Sequence, residues 1–125
     1  MDTSLRMNGL RLALIIIGVV FIIGLYPLTT LWPSGWQWHG EGASVYLQMI
    51  LGIYATLGIF LIIAAKNPME HLSLIWFTVW SSVVHGGIMA IQALYYPQHF
   101  GHLYGDVPAL FIVAIVLAIL TPRKQ

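Results

Sequence analysis

The chain has 125 residues, 59% of them hydrophobic and 7% charged, and a formal net charge of +1. Soluble domains carry about a quarter charged residues, so this is membrane composition, and the few scattered basic residues exclude a nucleic-acid surface or a polybasic lipid clamp. The absence of cysteine excludes a disulfide, a thiolate nucleophile, thiolate-ligated haem and an iron–sulfur cluster, leaving nitrogen, oxygen or Met sulfur as the only metal donors.

No linker-like stretch and no internal repeat divides the chain, which predicts a single integral membrane domain over 1–125. The first apolar run, 10–32, would extend about 34 Å as a helix against a hydrocarbon core of roughly 30 Å. Arg6 and Arg11 imitate the basic start of a signal peptide, but the run is too long for its apolar region and "YPLTTLWPSG" has no small-x-small cleavage site, so a permanent helix is predicted. Pro27 removes a backbone donor and frees the carbonyl near Ile23, which predicts a kink unless Thr29 or Thr30 compensates.

After "PSGWQWHGEGA" comes a second span, 44–65, in which Gly52 and Thr56, four apart, suit close helix contact. The turn "KNPME" comes next, with Asn67 as cap, Pro68 at the first helical position and Glu70 at the third, so the third helix is predicted over 68–95. The segment "YYPQHFGHLYGD" ends it, and a fourth helix, 106–121, starts at Asp106 as cap with Pro108 tolerated in the first turn. From Val107 onward this helix is roughly 22 Å long, short for a span, so its outer end lies below the membrane surface or the preceding loop lends it a turn. The predicted fold is an all-α bundle of four transmembrane helices.

Lys and Arg concentrate in cytoplasmic segments. With both termini inside, Arg6, Arg11, Lys66, Arg123 and Lys124 all fall on the cytoplasmic side, and neither outer connector holds a Lys or Arg. Trp32, Trp36, Trp38, Tyr95, Tyr96 and Tyr104 then form an outer aromatic belt.

The same orientation gathers His39, Glu41, His99, His102 and Asp106 on the outer side and leaves one deep ionisable residue, His85, within "SSVVHGGIMAIQAL". Counted from Leu72, His85 stands roughly 20 Å into its helix, near the bilayer midplane. Ser81 or Ser82, Met89, Gln92 and Tyr96 share its face. An ionisable group at this depth marks a ligand or cofactor site, or else it is a neutral imidazole bonded to a neighbouring helix; both readings stay open. Haem on His85 would need Met49, Met89 or a second copy's His85 as axial partner. Beside this stripe Ser82, Gly86 and Ala90 repeat at every fourth position, a small-residue groove for another helix. His99, His102 and Asp106, joined by His39 and Glu41, make an imidazole and carboxylate set suited to Zn²⁺ or Cu²⁺, or else hydrogen-bond the connectors together.

The runs "WPSGWQWHGEG", "MILGIYATLGIFLIIAAKNP", "SLIWFTVWSSVVHGGIMAIQAL" and "GHLYGDVPAL" resemble, in order, the segments of a family of small bacterial four-helix membrane proteins filed as a domain of unknown function. The resemblance covers nearly the whole chain. It implies a protein of the bacterial inner membrane and brings no activity, cofactor or catalytic residue with it.

Several functions are disfavoured by features the chain lacks: a Gly-rich phosphate loop, an intramembrane Asp or Glu for proton pumping, a mid-span lysine for retinal. Ser81 or Ser82 could pair with His85 as a nucleophile, but no third group orients the imidazole, so no catalytic residue is assigned. The residues favour a binding module: an outward-facing polar pocket with His85, Gln92, Met89 and Ser81 as ligand contacts, and His39, Glu41, His99, His102 and Asp106 as metal contacts. The alternatives are an accessory subunit of a homo-oligomer or larger membrane complex, packing through Ser82, Gly86 and Ala90, and an oligomeric proton or ion path.

Overall fold

The computed structural model describes residues 3–37 and 45–122. These residues are helical with no strand among them, as expected where no water is present to satisfy backbone N–H and C=O groups and each helix must do so internally. Four helices are long and apolar enough to cross a bilayer: the first, Thr3–Leu31; the second, Val45–Lys66; the third, Pro68–Tyr95; and the fourth, Pro97–Leu120. The chain is a multi-pass membrane protein with its described ends at one side of the bundle, called here the terminal end. Trp38 to Ser44, with the predicted His39 and Glu41 sites, and Arg123 to Gln125 lie outside the described residues.

The first helix packs on the second and the third on the fourth, and the first also meets the fourth. The second touches the third's initial turn, Pro68–His71, but above that turn the two diverge. At the terminal end all four converge on Leu10, Leu14, Leu61, Ala64, Ile75 and Leu117, every one fully buried. Lipid tails are as apolar as Leu, so here close contact rather than escape from water holds helices together.

The first and second helices come into backbone contact at Gly18 and Gly58. A Cβ on Gly18 would sit 2.7 Å from the Gly58 carbonyl oxygen, and one on Gly58 would sit 2.5 Å from that of Gly18. Only glycine permits this backbone contact. The expected contact at Gly52 and Thr56 is not made: Gly52 faces open space, and the Thr56 hydroxyl donates to the Gly52 carbonyl of its own helix (3.0 Å). The rule that small residues mark crossings holds, but two small stripes share the second helix and the other one is used. Arg6 ties the terminal end shut by donating to the Ile119 (2.6 Å) and Leu120 (3.2 Å) carbonyls, a cation placed at the negative end of the fourth helix.

Three local expectations change. The Pro27 irregularity is a π turn, Val20–Gly24, rather than a simple kink; Thr29 and Thr30 donate to the Tyr26 and Pro27 carbonyls instead of to Ile23. The third helix begins as a 3₁₀ turn without a side-chain cap, so Asn67 and Glu70 form no capping box. Asp106 does not cap the fourth helix either, its carboxylate being drawn to His102. A 3₁₀ run, Pro97–Tyr104, extends the fourth span to 24 residues, supplying the length that 106–121 lacks. This run packs on the short helix Pro33–Trp36, where a Cβ on Gly101 would meet the Ser34 carbonyl at 2.6 Å and one on Gly105 would collide with Gly35.

Candidate functional site

Away from the terminal end the bundle opens into a cavity of about 740 Å³ to which all four helices contribute. The first helix contributes Phe21 from the π turn, and Leu25 and Thr29 beyond it. A π turn widens the helix by one residue and shifts the register of the turns beyond it, a distortion frequent at functional sites. The second helix brings Ile50, Leu51 and Tyr54, the third His85, Met89 and Gln92, and the fourth His99, Asp106 and Leu110. Most of the wall is hydrocarbon. Buried Phe21, Met89 and Leu110 lie deep, while Tyr46, Gln92, Tyr96 and Gln98 are exposed at its rim.

The polar floor is a pair. His85 Nδ1 lies 2.6 Å from the Tyr54 hydroxyl, with the two rings stacked at 5.9 Å and 23°. Phe21 closes the other side of Tyr54 edge-on, centroids 5.0 Å apart. His85 thus bonds a side chain of the second helix rather than a carbonyl freed by Pro27, and the bond bridges the two helices that otherwise diverge. The phenol is the stronger donor, so Tyr54 Oη–H donates to Nδ1 and the ring proton sits on Nε2. That Nε2 makes no hydrogen bond among the described residues.

At the far end, His102 is almost wholly buried, with Nδ1 2.9 Å from Asp106 Oδ1 and Nε2 2.6 Å from the Gln37 carbonyl oxygen. This clasp fastens the third-to-fourth connector to the chain leaving the first helix. Both ring nitrogens are engaged, so no lone pair is left for a metal. His99 tilts against His102, centroids 5.5 Å apart. Among the described residues no group of three or more His, Asp or Glu side chains comes together as a metal would require, and Asp106, expected at the outer edge, is buried inside the fourth span.

Of the expected ligand contacts, His85, Met89 and Gln92 line the cavity; Ser81 does not, its hydroxyl donating to the Thr78 carbonyl at 3.3 Å. Met49, a candidate haem partner by sequence, is 59% exposed on the outside of the second helix. The groove of Ser82, Gly86 and Ala90 is filled by the chain's own fourth helix: a Cβ on Gly86 would touch the Phe111 ring at 3.3 Å and Leu110 Cβ at 3.4 Å. The stripe therefore packs within the chain rather than against a partner.

Two contributors escape the sequence reading. Tyr54 stands mid-span in a mostly apolar helix, and a buried phenol that must find a partner is the available signal. Trp36 reads as a belt residue, yet its side chain lines the cavity while its indole Nε1, occluded behind that wall, has no acceptor among the described residues. A buried orphan donor costs about 1–3 kcal/mol, and such groups call for an explanation.

The chain belongs to DUF6632, a family of unknown function. The family profile matches residues 5–124, so every part of the cavity falls within the family's shared region. No curated protein and no solved structure matches the chain.

Proposed function

We propose that this member of the family is a small-molecule binding module of the membrane, holding an organic ligand or cofactor in the cavity between its four helices. The observation that carries the reading is the cavity itself. Its volume of about 740 Å³ lies inside the range of ligand sites, roughly 300–1,000 Å³, and combines mostly apolar walls with a few converging polar groups as such sites do. A metal ion alone is disfavoured by the engagement of His102 with Asp106 and Gln37. Arg6 and Lys66 stand at the terminal end, and the connectors at the other end carry no Lys or Arg; this asymmetry favours cytoplasmic termini and a cavity facing outward. In a bacterium that orientation belongs to the inner membrane.

The test is to purify the protein in mild detergent without a tag, denature it in organic solvent and quantify the released small molecules by mass spectrometry, alongside Met89→Trp, which fills the cavity. Near-stoichiometric release from the wild type and loss from the folded variant is expected. No release from the wild type, or equal release from both, overturns the reading.

A further inference from the structure

We infer that the cavity takes an uncharged, membrane-soluble molecule with a hydrocarbon body and a head bearing carbonyl-type acceptor oxygens, entering sideways between the second and third helices. The inference rests on the binding reading above and adds the ligand's chemical class and its route.

The body is set by the walls. Leu25, Ile50, Leu51, Leu110 and Val113 present only hydrocarbon, and an apolar surface of this extent is poorly served by water, which needs polar partners to be held.

The head is set by one donor. His85 Nδ1 is taken by Tyr54, which leaves its Nε2–H, on a residue that lines the cavity, without an acceptor among the described residues. It asks for an oxygen lone pair. Among the described residues the cavity wall holds no Lys or Arg, and its one acid, Asp106, is already bonded to His102. A carboxylate or phosphate head would therefore stand near that carboxylate with no Lys or Arg in the wall to pair with it, which is costly at low dielectric. A neutral carbonyl meets no such penalty.

The route is set by the helix arrangement. The first and second helices pack together, as do the third and fourth, while the second and third separate above Pro68–His71. Ile50 and Ile88 stand on either side of that gap, lining the cavity yet 43% and 50% exposed on the bundle surface. That surface faces lipid, so a hydrophobic molecule reaches the cavity without crossing water.

The experiment compares two probes on the intact protein in micelles: a decyl-substituted benzoquinone, and decylbenzene, which has the same tail on a planar six-carbon ring but no oxygen. Thermal unfolding is followed by circular dichroism at matched mole fractions. The benzoquinone should raise the midpoint clearly more than decylbenzene, and His85→Phe, which keeps a ring but removes Nε2–H, should weaken its binding by about tenfold, the loss of one hydrogen bond in an apolar site. In the wild type the benzoquinone should shift the His85 Nε2 resonance in nitrogen-15 NMR and decylbenzene should not, a readout that serves if the variant does not fold. Equal shifts from both probes, with no effect of the variant or on that resonance, overturn the acceptor head while leaving the cavity as a binding site. Stronger stabilisation by decanoate than by the benzoquinone overturns the uncharged head. No shift from any probe contradicts the binding reading itself.

Discussion

The two ends of the bundle are built from the same apolar alphabet and do opposite things with it. From mid-span to the terminal end small residues and branched aliphatics let the helices close: Gly18 lies on Gly58, and Leu10, Leu14, Leu61 and Leu117 leave no exposed surface. At the other end a π turn displaces the first helix, Tyr54 and His85 meet ring to ring, and a His102–Asp106 clasp fixes the connectors. Aromatic rings that stack at 5.9 Å hold backbones farther apart than glycines in contact. The closed end supplies stability, and the propped end keeps a cavity that apolar side chains alone would collapse to fill.

That contrast can be broken from either side. Gly58→Leu should have the largest effect, about 3 kcal/mol or loss of folded protein, because the new side chain meets backbone that cannot yield; Gly52→Leu, facing open space on the same helix, should stay within about 0.5 kcal/mol. Thermal unfolding in detergent compares them directly. Gly86→Leu should cost about 2 kcal/mol by crowding Phe111, and its mass by light scattering should match the wild type, since the groove is filled from within. A change of oligomeric mass would restore the accessory-subunit reading. Asp106→Asn weakens a buried charge-assisted bond to His102 and should cost about 1.5 kcal/mol, with faster hydrogen exchange in Pro97–Tyr104 and little change at Leu10 or Leu61. Tyr54→Phe removes one hydrogen bond, about 1 kcal/mol, and should shift the His85 Nδ1 resonance in nitrogen-15 NMR by exposing its lone pair. An unmoved resonance would mean that the pair does not bridge the helices.

Much of this architecture can be read from the chain, because hydropathy and length are nearly sufficient inside a bilayer. The four spans, the shortness of the last and the depth of His85 all come from counting. Which small stripe is used does not: Gly52 and Gly58 look alike in sequence, and only the partner helix chooses. The site is half legible for a related reason. His85, Met89 and Gln92 recur on one helical face, so periodicity groups them, whereas Tyr54, Trp36 and Thr29 come from other helices and join the cavity only when the bundle forms. His102 and Asp106 resemble metal ligands in sequence because residue types are visible there and their mutual bond is not.

One end of the bundle is hollow and the other packed, and xenon tests this most directly, since xenon enters apolar cavities but not close-packed interiors. The methyl groups of Met89 and Leu110 beside the cavity and of Leu10 and Leu61 in the core are all shielded from detergent, with exposures of 7%, 7%, 0% and 0%. Under xenon pressure, carbon-13 methyl spectra should shift for Met89 and Leu110 and stay fixed for Leu10 and Leu61. Unmoved Met89 and Leu110 resonances, or equal shifts at both ends, would contradict the account.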